Sequence, residues 1–181
     1  MSKRINYYSK KIFFKCFVII FCILQTNLSI SQTSSRVTVE GSGEPVPRFV
    51  SLKTDKANMR KGPSRNHPID WEYNVKGLPF KVLAENNVGG IMWLKVIDSK
   101  GTLGWMHSRL LSSKRTVEVI DNILILRQHP NKESDIRAKA EIGAILNIRR
   151  CDEKWCRLSK DEISGWAPRK GYFGLLENEI P

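Results

Sequence analysis

Arg60, Trp71, Tyr73 and His107 are the side chains of this sequence best suited to binding. Two aromatic faces beside a cation and an imidazole can hold a peptide or the face of a sugar. Packing between two halves of the chain is the competing role for Trp71 and Tyr73, and the sequence leaves both open. Cys151 and Cys156 are the second chemical pair, spaced Cys-x4-Cys. A redox pair prefers Cys-x-x-Cys. A structural zinc site needs two further ligands, and His67, His107 and His129 are scattered along the chain. One disulfide is the favoured reading of the pair, and no metal site is assigned. His107 lies beside Ser108 and within reach of Asp98 in sequence, but no Gly-x-Ser-x-Gly elbow surrounds them. No catalytic residue and no cofactor are assigned, and the chain is expected not to be an enzyme. Lys61, Arg65, Arg109, Lys114 and Arg115 make a loose basic set that reads as a solvated face.

The N-terminus sets the compartment. Lys3, Arg4, Lys10, Lys11 and Lys15 precede a short apolar run at 16–24, and Ser29-Ile30-Ser31 follows as a small-x-small pattern. This is the layout of a secretory signal peptide spanning residues 1–31. The apolar run is shorter than the about 20 residues a spanning helix needs, so no stable membrane span is expected after cleavage. An uncleaved anchor over 12–30 is the lesser alternative, opposed by Gln25 and Asn27. No small residue precedes Cys16 or Cys22, so no lipid-attachment pattern is seen. Both of those cysteines leave with the signal, and Cys151 and Cys156 remain as an even pair in an oxidising compartment. Cleavage leaves 25 basic against 18 acidic residues, a net charge of +7 in place of +12. The expected location is periplasmic or secreted. Such a charge suits an acidic surface, and nucleic acid is not expected as a partner of an exported chain.

What must position these residues is a set of short strands. Residues 32–47, rich in Ser, Thr, Gly and Pro, read as a flexible linker. Beyond it, short alternating segments are separated by turn residues such as Gly62-Pro63, Gly77-Leu78-Pro79, Gly89-Gly90 and Gly101. Many short strands at regular spacing predict a small all-β barrel or sandwich. The unit occurs twice. Gly104-Trp105 is followed 61 residues later by Gly165-Trp166, and Trp93 by Trp155. A fixed period of that size means two copies of one module, at 48–113 and 114–181. Trp105 and Trp166 are expected to fill the two cores. One helical turn is expected over 134–140. A module of about 65 residues buries only about 60% of its unfolded surface, so the two are expected to pack against each other.

Taken in order, Ala57-Asn58-Met59-Arg60-Lys61-Gly62-Pro63, Lys76-Gly77, Trp93-Leu94-Lys95-Val96 and Gly104-Trp105-Met106 resemble the bacterial SH3-like domain. The second copy keeps Leu126-Arg127, Gly143, Trp155-Cys156-Arg157-Leu158 and Gly165-Trp166, but lacks the Ala-Asn pair and has His129 where the family has glycine. The resemblance implies two tandem small SH3-like β-barrels. It also implies a cell-wall targeting or protein-binding role, with peptidoglycan or an envelope protein as partner. The alternative it leaves is a structural or assembly partner of an envelope protein, acting through a protein–protein groove.

Overall fold

A computed structural model of the chain describes residues 41–181. The expected signal peptide and the first part of the expected linker lie outside the described residues. The described chain is all-β. Its first seven strands are β1 (Arg48–Leu52), β2 (Ala57–Arg60), β3 (Ile69–Tyr73), β4 (Pro79–Val88), β5 (Ile91–Ile97), β6 (Leu103–His107) and β7 (Leu111–Ser112). A single 3-10 turn, Ser108–Leu110, separates the last two. The next seven are β8 (Thr116–Val119), β9 (Ile123–Arg127), β10 (Ile136–Glu141), β11 (Ile145–Cys151), β12 (Trp155–Lys160), β13 (Ile163–Pro168) and β14 (Tyr172–Phe173).

Each set forms one antiparallel sheet, in the orders β3-β2-β6-β5-β4-β1-β7 and β10-β9-β13-β12-β11-β8-β14. The two orders are the same order. In the first sheet Tyr73 near one edge and Leu111 at the other share a single core with Phe80, Leu94 and Met106. A sheet whose far edges meet in one core is curled into a barrel, which is the expected architecture. The second sheet closes around Val117, Leu126, Leu146, Cys156 and Leu158. A register shift occurs between Val82 and Ala84 in β4 and recurs between Ile148 and Arg150 in β11. Bulges bend and twist a strand locally, so both barrels turn at the same point.

The register corrects one expectation. Trp105 and Trp166 do not fill the cores. Their neighbours Met106 and Ala167 are fully buried, and the two tryptophans lie half-buried on the outer face. Alternation along a strand requires this once the glycine points inward. It must point inward, because a Cβ on Gly104 would lie 3.0 Å from the Arg60 carbonyl and press on the Met59 side chain. A Cβ on Gly165 would lie 2.8 Å from Leu126 Cβ and 3.0 Å from the Arg127 carbonyl. Outside, Trp105 pairs with Arg60 and Lys95, and Trp166 with Arg127 and Arg157. The Arg150 guanidinium stacks 4.9 Å over the Trp166 ring. A second correction falls at 134–140, where strand β10 pairs with β9 in place of a helical turn.

The modules pack on each other, as their size requires. Thr116 Oγ1 donates to the Gly77 carbonyl at 2.6 Å, and Ser99 Oγ donates to Glu118 Oε2 at 2.6 Å. Phe49 of the first barrel meets Phe173 of the second edge to face, with ring centres 4.9 Å apart. Within the stretch read as a linker, the Ser42 N–H and hydroxyl donate to Glu85 at 2.7 and 2.8 Å, and Val46 packs on the first core. No helix among the described residues is long and apolar enough to cross a membrane.

Candidate functional site

The outward face of the first sheet carries the site. On β5 the core takes Leu94 and Val96, so alternation turns Trp93 and Lys95 outward. Trp93 is nevertheless only 3% exposed. His107 on β6 is its direct cross-strand partner, and the two rings sit 5.4 Å apart at 48°. The turn that follows fixes the imidazole, since the Arg109 N–H donates to His107 Nδ1 at 3.1 Å. With Nδ1 accepting, the neutral ring carries its proton on Nε2 and offers it as a donor. Burial, then the nearby charges of Arg109 and Arg65, hold the His107 pKa below the usual histidine value.

Arg60 enters from β2. Its Nη1 donates to the His67 carbonyl at 2.7 Å, and the Lys61 N–H donates to the Pro68 carbonyl at 3.1 Å. The arginine thus clamps the loop that carries Arg65. The second barrel repeats the clamp, with Arg127 Nη1 donating to the Ser134 carbonyl at 2.6 Å. Asn58 lies two residues before Arg60, and its Oδ1 is buried without a hydrogen-bond partner among the described residues. Together Lys56, Asn58, Arg60, Arg65, Trp93, His107 and Arg109 line an open groove of about 590 Å³. No acidic side chain lines it. Lys56 is already paired with Glu72 at 2.9 Å.

Of the four residues singled out in the sequence, Arg60 and His107 meet in this groove. Tyr73 is in the core, where its hydroxyl donates to Asp98 Oδ2 at 2.8 Å and its ring meets Phe80 edge to face. Burial, then the Asp98 hydrogen bond, raises the Tyr73 pKa far above the usual phenol range. Trp71 is 54% exposed on the edge strand β3, its ring centre 6.4 Å from that of Tyr73. Sequence reasoning missed Asn58 and Trp93 as groove residues and left Arg65 and Arg109 in a solvated set. Counting outward from the inward Gly104 would have placed Trp105 and His107, and with them the face of Trp93.

Two other depressions are less suited to a ligand. One in the second barrel, about 430 Å³, is lined by Arg149, Arg157, Asp161 and Glu162. Two of its three arginines bond serines beside them, Arg149 to Ser159 at 2.7 Å and Arg157 to Ser164 at 3.1 Å, and the third, Arg150, stacks on Trp166. Another lies along the seam between barrels, under exposed lysines. Cys151 and Cys156 are direct partners on β11 and β12 and form a disulfide, with Cα atoms 4.0 Å apart. Among the described residues no three His, Cys, Asp or Glu side chains are grouped to hold a metal.

Two small antiparallel barrels of one topology, the first carrying a basic groove, make up the described chain. The chain belongs to the bacterial SH3 domain family, which matches it at residues 53–113 and again at 121–170. No curated protein matches it. Among solved structures it is similar to NlpC2 from Trichomonas vaginalis, at 11% identity and a TM-score of 0.31 over 70% of this chain and 48% of that one. It is also similar to an NlpC/P60 family protein from Bacillus cereus ATCC 10987, at 12% identity and a TM-score of 0.29 over 69% of this chain and 55% of the other. The chain spans about half the length of each.

Proposed function

We propose that this protein is an exported, non-enzymatic binding module that recognises a peptidoglycan peptide through the groove of its first barrel. The groove carries the reading. It is basic and open, and no acidic side chain lines it. Membership of the bacterial SH3 domain family supports the reading. So does the disulfide, which belongs in an oxidising compartment such as the periplasm. Retention of the purified protein on isolated sacculi tests the reading. Retention should exceed that of serum albumin and fall when Arg65 and Arg109 are both changed to Gln. Retention no better than albumin would overturn it. A second reading is assembly with an envelope protein, favoured by Ile69 and Trp71, which are 52% and 54% exposed on the edge strand β3. Crosslinking in cells to one dominant protein, lost in Trp71→Ala, would support it.

A further inference from the structure

We infer that the groove selects a free carboxylate with an N–H donor beside it, as at the carboxyl end of a peptide, and that only the first barrel can do so. This rests on the reading of the groove as a peptide site and names what the site reads. Arg65 and Arg109 make no ion pair and no side-chain hydrogen bond among the described residues, yet both stand close enough to His107 to act on its charge. Two unengaged guanidiniums facing one groove are suited to bidentate pairing with a planar carboxylate. His107 Nε2–H adds a neutral donor on the same wall. Asn58 Oδ1 is the opposite kind of group. It is a buried acceptor left without a donor, and such an atom is costly until something satisfies it. A carboxylate alone cannot supply that donor, since it only accepts. A terminal peptide residue supplies both, because its amide N–H lies next to its carboxylate. Trp93 packs against His107 from the neighbouring strand and backs the imidazole.

The second barrel has the scaffold without the contacts. Arg60 and Arg127 occupy the same register, each opposite the tryptophan of the Gly-Trp pair. Two residues earlier, Asn58 corresponds to Ile125. His107 pairs with Trp93 as Pro168 pairs with Trp155. Isoleucine offers no acceptor and proline no donor at those positions. Binding at one site per chain follows.

Calorimetric titration of the full chain with N-acetylated trialanine, as the free acid and as the carboxamide, tests this. The acid should bind at one site per chain and about tenfold or more tighter than the amide, the worth of charge-assisted hydrogen bonds to the carboxylate. Arg65→Gln with Arg109→Gln should erase the difference between acid and amide. Asn58→Ala should weaken both forms while leaving the difference in place. Arg150→Gln, in the second barrel, should change nothing. Equal binding of acid and amide, two sites per chain, no binding of the acid at millimolar concentration, or displacement of the acid by equimolar inorganic phosphate would each overturn the inference. Sacculus retention separates this from the broader reading. Retention with acid and amide bound equally sinks only the carboxylate selection, and acid-selective binding without retention sinks only the wall target.

Discussion

Glu85 is a charged group closed inside the mouth of the first barrel, with its side chain 3% exposed. Burial alone would push its carboxyl pKa up. The Ser42 N–H, the Arg48 guanidinium and the Ser42 hydroxyl outweigh burial and hold it below the usual carboxylate range. A depressed folded-state pKa means the unfolded chain binds the proton more readily. The stabilisation is therefore complete above the ordinary glutamate value of about 4.3 and is lost as pH falls through the folded value. Glu85→Gln strands Arg48, and breaking a nearly buried pair in this way costs about 3 kcal/mol. Urea unfolding at pH 7 should show that gap between the wild type and Glu85→Gln, and at pH 3 the gap should have shrunk. A constant gap would mean the carboxylate is not the stabilising group. His107 acts in another window. Its pKa is also depressed, so its contribution is present above about pH 6.5 and is lost below it. That loss should be absent in His107→Gln.

The hairpins β4–β5 and β11–β12 show one design closed in two ways. One pair beyond the shared bulge, the first has Glu85 opposite Leu94 and the second has Cys151 opposite Cys156. The polar mouth of the first is tied by Arg48 and Ser42, and the second is tied covalently. The bond encloses a short loop, so replacing both cysteines with serine should cost the second barrel about 2 kcal/mol. Thermal unfolding checks this, and peptide binding by the first barrel should be unchanged. Much at this scale was legible in the sequence. Glycine turns and alternating strands declared the barrels, and the Gly-Trp pairs declared the repeat. The strand at 136–141 was not legible, because Arg137-Ala138-Lys139-Ala140-Glu141 favours helix locally. Pairing with β9 and burial of Ala140 override that preference. The split between Trp71 and Tyr73 was hidden as well. Period two gives them one face, but only Tyr73 lies far enough under the wall to reach Asp98. The sequence offers Arg60 as a cation for a ligand, and its loop clamp was hidden because it depends on a carbonyl seven residues away.

At the scale of the whole molecule, the question is whether two marginal barrels unfold as one. Only residues 113–115 separate β7 from β8, and side chains of both barrels pack across the junction. Phe49, 5% exposed, meets Phe173, and the Arg115 guanidinium sits 5.9 Å over the Phe49 ring. Arg115 also holds Glu179 of the C-terminal tail, with Nη2 2.9 Å from Oε2, and Arg169 donates to the carbonyls of Leu176, Glu177 and Glu179. The tail is thus tied to the residue that joins the barrels. Each barrel lends the other apolar surface that neither can bury alone, and this makes their unfolding cooperative. Calorimetry of the wild type should give one transition. Phe49→Ala removes the shared ring, at a cost of about 3 kcal/mol, and should split the transition in two, the barrel without the disulfide melting first. A single transition that merely shifts down would place the coupling in the polar contacts at Gly77 and Glu118. Two transitions in the wild type would mean that the barrels are joined without being coupled.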